Sequence, residues 1–296
     1  MVNKILSTDI ENYPNGIKVV QHNLPSTDLF TEQALAQAIE EHPPHLVDIC
    51  VDGTFSSCER NGFSGAELIE AVKQGNLWIS LKHIETVNSP IGRLIKTLHA
   101  EFEHTMGRKT QSKIGGLLIS SPKATVGYHF DFSDVALHHI HGSKRIYIYP
   151  NEPPYLDSKK VEELSLAQGI ERIPYDEKFD QLAHTIDLEP GQMISWPHLS
   201  PHRIDNVSGL NVSMSLESMC LTSRLIVGQY FFDGFTYKHF KTRVFPQSKN
   251  KTIQFMKTCC AVFIRKSGKL NRKDIPIEYA YKLDANAANF LTSVNT

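Results

Sequence analysis

Residues able to do metal chemistry are concentrated in one stretch of the chain: Gly127-Tyr128-His129-Phe130-Asp131, followed by His138-His139-Ile140-His141-Gly142-Ser143-Lys144. His129 and Asp131 are two apart, and on a strand that spacing puts both side chains on one face. An imidazole and a carboxylate then share a small volume. The β-rich run Arg145-Ile146-Tyr147-Ile148-Tyr149-Pro150 supports the strand. Taken alone, the pair would equally suit a hydrogen-bonded couple at a strand edge.

A third ligand is available in Leu188-Glu189-Pro190-Gly191-Gln192-Met193-Ile194-Ser195-Trp196-Pro197-His198-Leu199-Ser200-Pro201-His202. A turn, a short apolar strand and a proline-flanked loop deliver His202. Two histidines and a carboxylate on one side of a metal form the facial arrangement of non-haem Fe(II) oxygenases, which leaves three octahedral positions open. His198 competes for the third place, and the Pro-x-x-Ser-Pro-His-Arg setting favours His202.

The elements that must position these residues are two strand-rich blocks, 115–150 and 185–217. Between them 156–179 is charged and reads as a solvated helix and loop insert. Upstream, 17–25 and 46–51 read as strands, and Thr31 caps an amphipathic helix that stops before Pro43-Pro44. The polar stretch 52–62 reads as a loop. Ser64 and Glu67 have capping-box spacing for a helix ended by Gly75, 77–81 is a strand, and Ser89-Pro90 opens a longer helix with a core-facing stripe. Helical patterns return at 223–239 and 252–265. The boundaries are then an α+β flank over 1–110, a β core over 111–221 with its insert at 156–179, and a C-terminal helical region over 222–296.

The ordered set His129-x-Asp131, Gly142-x-Lys144, Pro190-Gly191 and His202 resembles the JmjC and cupin-like 2-oxoglutarate oxygenases, in particular the branch typified by the hypoxia-factor asparaginyl hydroxylase. The resemblance covers roughly residues 115 to 218. It implies a mainly β fold with flanking helices: a double-stranded β-helix of the jelly-roll or cupin type. It favours His202 over His198, and implies Fe(II) as metal with 2-oxoglutarate and O2 as co-substrates. Lys144 matches the lysine that holds the distal carboxylate of 2-oxoglutarate in that branch, and a buried anion needs such a charge.

Further contacts are expected around this centre. Thr125, Asn211, Ser213 and Ser215 are candidates for co-substrate binding, and Tyr128, His139, Tyr147 and Trp196 for the substrate slot, with Phe130 nearby. Asn211, Ser213 and Ser215 alternate with Val212, Met214 and Leu216, so one face of that strand is polar, directed either inward or outward. The chain departs from the branch at Val126, where a hydroxyl residue is usual and Thr125 stands adjacent, and at Val135, where an amide is usual. The clustered His138, His139 and His141 read as strand and turn, not a second metal site.

In 296 residues, 31 basic and 32 acidic side chains nearly cancel, so no global field recommends nucleic acid or a membrane surface. With 41% hydrophobic residues the chain can bury a sizeable core. The five cysteines have no CxxC spacing, the first residues lack a signal-peptide core, and no run reaches the roughly 18 apolar residues of a spanning helix. A reduced, cytoplasmic setting is expected, with the Asn-x-Ser/Thr triplets at Asn206, Asn211 and Asn250 accidental.

The function expected is an Fe(II)/2-oxoglutarate-dependent hydroxylase acting on a protein or peptide side chain. The rivals are hydroxylation of a free amino acid or small natural product, and a non-catalytic cupin-like ligand sensor, for which a full ligand set has no chemical need. Nothing marks a methyl-lysine cage, and no basic stripe supports nucleic acid. The helices of 222–266 either form a homodimer, as the resemblance implies, or pack on the protein's own barrel.

Overall fold

The computed structural model describes residues 16–51, 56–107, 109–167, 172–267 and 279–294; the N-terminal stretch read above and residues 52–55 of the expected loop lie outside them. The order begins with β1 (Lys18–Gln21), α1 (Glu32–Glu41), β2 (Val47–Val51), β3 (Ser56–Glu59), α2 (Gly65–Gln74), β4 (Leu77–Leu81) and α3 (Pro90–Met106). The Thr31 hydroxyl accepts from the Ala34 amide at the start of α1, and Ser64 and Glu67 close a reciprocal capping box on α2. These bonds satisfy N–H groups the helices leave orphaned. Leu68 and Val72 of α2 with Ile95 and Leu98 of α3 pack into the main core against the sheet.

The chain continues through β5 (Gln111–Ser120), β6 (Thr125–His129), β7 (Asp134–Ile148), α4 (Ser158–Ala167), β8 (His184–Leu188), β9 (Gln192–Ser195), β10 (His202–Met219), α5 (Leu221–Phe240), α6 (Lys251–Lys266), β11 (Tyr281–Leu283) and β12 (Leu291–Ser293). β10 runs antiparallel to β7 on one side and to β5 and β6 on the other. The result is a mainly β structure with flanking helices around a double-stranded β-helix. One continuous sheet has the order β1-β9-β7-β10-β5-β4-β2-β3-β11-β12, so the N-terminal flank extends the barrel sheet by hydrogen bonds through β4.

Three expectations need correction. Part of the 52–62 loop is strand β3, which gains its partners from β2 and, in parallel, from β11. The C-terminal region is not helical throughout: β11 and β12 return to the N-terminal edge, and Leu283 is buried there. The insert helix α4 is not solvated all round. Val161, Glu162 and Ser165 are buried, and the Glu162 carboxylate accepts from Arg243 Nε at 2.8 Å. Gly234 of α5 comes so close that a Cβ there would lie 2.8 Å from the Glu162 carbonyl. The charged composition of α4 concealed a face made for α5.

Two irregularities decide which side chains point into the barrel. On β7, Val135 and Leu137 line the interior cavity, and so does Lys144, although an odd number of residues separates it from either. The register between β7 and β10 shifts at Gly142, which has φ +76°, and Gly209 of β10 has φ +69°. A bulge of this kind reverses the alternation of a strand. On β6 the pairing skips a residue between Val126↔Ile204 and His129↔His202, so both Val126 and His129 face inward.

Candidate metal and oxo-acid site

His129 closes β6, Asp131 follows in the connection to β7, and His202 opens β10 directly opposite His129. The two imidazole rings have centroids 4.2 Å apart, and His202 Nε2 lies 3.4 Å from Asp131 Oδ2. The ligand atoms of the three residues all fall within 4.8 Å of one another, the one such cluster among the described residues. Each histidine places Nδ1 near a backbone carbonyl: His129 at 2.8 Å from Gly127 O, and His202 at 3.1 Å from Ser200 O. A carbonyl only accepts, so the ring proton belongs on Nδ1 and the Nε2 lone pair is left for the cluster.

Burial, reinforced by the neighbouring His129, pulls His202 down to about 4, so it is neutral at ordinary pH. The residues therefore fit a divalent metal: two imidazoles whose Nε2 atoms are left free by the backbone carbonyls at Nδ1, beside one carboxyl group. They leave one face for other ligands, as the 2-His-1-carboxylate arrangement requires.

The cluster lies in a cavity of about 340 Å³ bounded by β4, β5, β6, β7 and β10. Lys144 also lines it, only 4% exposed and without an acidic side chain paired to it among the described residues. Burial alone pulls its ammonium from 10.5 down to about 7. A buried lysine without a counter-ion fits an anionic ligand entering the same cavity. Lys82 and His83, both with exposed side chains, also line it and are paired with Asp48 and Glu85.

The other expected residues divide. Trp196 lines the cavity, its ring centroid 4.5 Å from that of His202, and Ser215 lines it too. Asn211 and Ser213 face inward but lie beyond the open cavity: Ser213 Oγ is 3.0 Å from His139 Nδ1, and Asn211 Nδ2 donates to Ser208 O and Gly209 O. His139 spends its second nitrogen on Gly142 O at 2.9 Å, and burial pushes it down to about 3. It packs the closed end of the barrel and does not reach the slot.

Thr125, Tyr128 and Tyr147 are placed elsewhere. Thr125 sits opposite Asp205 on the outer face, because the β6 bulge gives the inward position to Val126. Tyr128 points into an aromatic cluster with Tyr149, Tyr175 and Phe179, and its hydroxyl donates to Tyr155 O at 3.0 Å. Tyr147 lies under the Arg203 guanidinium, 3.4 Å from ring centroid to Cζ. Phe130 is fully buried in the same outer cluster as Tyr128. These aromatics fasten the insert to the barrel instead of lining a slot.

Asn206, Ser120, Trp78 and Glu217 also line the cavity, without having been singled out in the sequence. Asn206 follows the His202–Ile204 alternation, so its signal was legible; its Nδ2 donates to Ser120 Oγ at 2.8 Å and Ser121 O at 2.7 Å. Trp78 and Ser120 arrive on strands distant in sequence, where no local pattern points to the site. His198, the rival ligand, is buried beside Asp134 and stands outside the cluster.

No protein-family model matches the chain, and no curated protein matches it. Among solved structures it is similar to that of ycfD from Escherichia coli, at 14% identity over 88% of this chain and 69% of that one, with a TM-score of 0.53. A structure described as YcfD, a ribosomal oxygenase from Escherichia coli in complex with cobalt and 2-oxoglutarate, matches at 14% identity over 93% of this chain and 72% of that one, with a TM-score of 0.48. The likeness is one of fold, and it does not single out the asparaginyl hydroxylase branch.

Proposed function

We propose that this chain is an Fe(II)- and 2-oxoglutarate-dependent hydroxylase of the JmjC type, acting on a protein or peptide side chain. One observation carries the reading: the His129–Asp131–His202 cluster and the buried Lys144, with no acidic side chain paired to it among the described residues, line the same cavity. A structural ion pair or a sheet-edge couple accounts for neither half of that arrangement. His129, Asp131 and His202 would hold the metal, and Lys144 the far carboxylate of the oxo-acid. With both bound, the site supplies oxidative decarboxylation of 2-oxoglutarate to succinate and CO2, coupled to insertion of one oxygen atom of O2 into a C–H bond.

The chain's own residues orient and exclude. The carbonyls of Gly127 and Ser200 set the two imidazoles, and Trp196 covers His202 on one side. Val126, Val135, Leu137 and Ile204 make the walls apolar, which strengthens the attraction between Lys144 and an anion by keeping water out. The exposed side chains of Lys82 and His83 in its lining leave the cavity open to a side chain presented from outside, which favours a peptide over a fully enclosed small molecule.

All five cysteines are free, which suits a reduced, cytoplasmic setting, and among the described residues no helix is long and apolar enough to cross a membrane. Phe255, Met256 and Phe263 of α6 are exposed, and we assign the homodimer contact to this stripe. The test of the function is succinate formation by anaerobically purified protein given Fe(II) and 2-oxoglutarate and then O2, with Asp131→Ala as control. Turnover above the control supports the reading. Absence of both turnover and 2-oxoglutarate binding would leave a barrel without this chemistry.

A further inference from the structure

A carboxylate outside the metal cluster joins the two segments that carry it. Asp134 opens β7 three residues beyond Asp131, and its side chain is fully buried with Oδ1 2.9 Å from His198 Nδ1. His198 lies in the loop between β9 and β10, four residues before His202. At the start of α5, the Ser223 hydroxyl donates to Asp134 at 2.6 Å, and the Cys220 amide donates at 3.0 Å. Burial pushes the Asp134 carboxyl up, but His198, Ser223 and the Cys220 amide together outweigh it and hold the carboxyl below its ordinary range. An ionised carboxylate this deep is held by several charge-assisted hydrogen bonds, and losing one of them costs stability.

The turn between His198 and His202 is the link. The Ser200 amide donates to Pro197 O at 2.9 Å, closing a turn that contains His198, and Ser200 O is the acceptor for His202 Nδ1 at 3.1 Å. Asn151 Nδ2 donates to His198 O at 2.9 Å. Within the turn Leu199 has φ +62°, a left-handed conformation costly for a branched side chain that persists only where its surroundings hold it. His198 Nδ1 is the ring nitrogen 2.9 Å from the Asp134 carboxylate, which only accepts, so the ring proton belongs on Nδ1.

We infer that Asp134 and His198 are positioning residues: a buried clamp that anchors the strained 197–200 turn, so that the Ser200 carbonyl keeps His202 in its Nδ1–H tautomer with Nε2 turned to the metal cluster. The consequence for metal binding rests on the proposed hydroxylase reading; the tautomer of His202 does not.

The experiment uses the full chain. Histidine ring nitrogen–proton correlation spectra of metal-free protein, with His202 assigned by His202→Ala, should show one Nδ1–H tautomer in the wild type and a mixture in His198→Ala. His198→Asn, whose amide N–H stands near the place of Nδ1, should restore the single tautomer. Co(II) affinity should fall about 10-fold or more in His198→Ala and recover in His198→Asn. Ser223→Ala removes the hydroxyl bond from α5, keeps the Cys220 amide and His198 on Asp134, and should lower thermal stability while leaving the His202 spectrum and Co(II) affinity unchanged. A His198→Ala spectrum like the wild type, or an equal disturbance in Ser223→Ala, overturns the clamp. If His198→Ala does not fold, Asp134→Asn takes its place with the same expectation and the same overturning result. A wild type that binds no Co(II) defeats the hydroxylase reading, while the tautomer comparison still decides the clamp.

Discussion

Lys144 and Arg145 are adjacent on β7 and meet opposite environments. Arg145 makes two bonds to the exposed Asp187, at 2.6 and 2.8 Å, whereas Lys144 points into the cavity of the metal cluster. Strand alternation separates them, and the bulge at Gly142 chooses which goes inside. A surface pair such as Arg145–Asp187 contributes little. The buried ammonium is costly until an anion reaches it.

Lys144→Ala should weaken 2-oxoglutarate binding by roughly 2 kcal/mol or more, a factor of about 30, because one partner of a buried charge pair is lost. Co(II) affinity should stay near the wild-type value. Calorimetric titration of each ligand separates the two, and an unchanged 2-oxoglutarate affinity would remove Lys144 from the site.

The pH dependence has a definite sign. Burial lowers Lys144 from 10.5 to about 7, so between these values the unfolded chain holds a proton that the folded chain lacks. The contribution of this group to stability therefore rises with pH across that window. Binding of the dicarboxylate requires the ammonium and should weaken as pH rises above about 7. Lys144→Arg, charged throughout, should flatten the binding profile. A wild-type affinity independent of pH would contradict the assignment.

His129→Ala and Asp131→Ala should each abolish tight Co(II) binding and leave the thermal midpoint close to the wild type, since both side chains are only half-buried. Tight stoichiometric binding retained in either variant, read by Co(II) absorption, would sink the ligand set.

Gly142→Ala should destabilise the fold by about 1–3 kcal/mol and weaken 2-oxoglutarate binding, because φ is +76° there and the new Cβ would meet Asn211 Nδ2 at 2.7 Å. Gly62→Ala is the comparison: its φ is +80°, yet nothing lies within 4 Å, so only conformational cost applies and the oxo-acid affinity should not change. Thermal denaturation with binding measurements on both variants checks the difference.

Phe263 is 75% exposed and Phe255 57% exposed on α6, and glutamate at both positions should convert a dimer to a monomer in sedimentation. These point changes are preferable to removing 222–296, which would also strip β11 and β12 from the edge of β3. A wild-type chain that sediments as a monomer would dispose of the assignment.

Much of the site was legible in the chain. The period-two spacing of His129 and Asp131, the later His202, and a lysine just after a glycine are local features, and the structure brings all four residues to one cavity. Helix starts at Thr31, Ser64 and Ser89 were equally local, because a cap is a contact between residues three apart. Tertiary structure decided which way the neighbouring side chains point. The bulges at Gly127-Tyr128 and Gly142 turn Val126 and Lys144 inward and send Thr125, Tyr128 and Tyr147 to the outer face. A single extra residue in a strand reverses every side chain beyond it, and whether it is accommodated depends on the partner strand. The same holds for β3, which needed β11 from the far end of the chain, and for Trp78 and Ser120, brought to the cavity by pairing of β4 with β5. Residue types and short spacings determine what chemistry the chain can do; non-local strand register determines which of those residues meet.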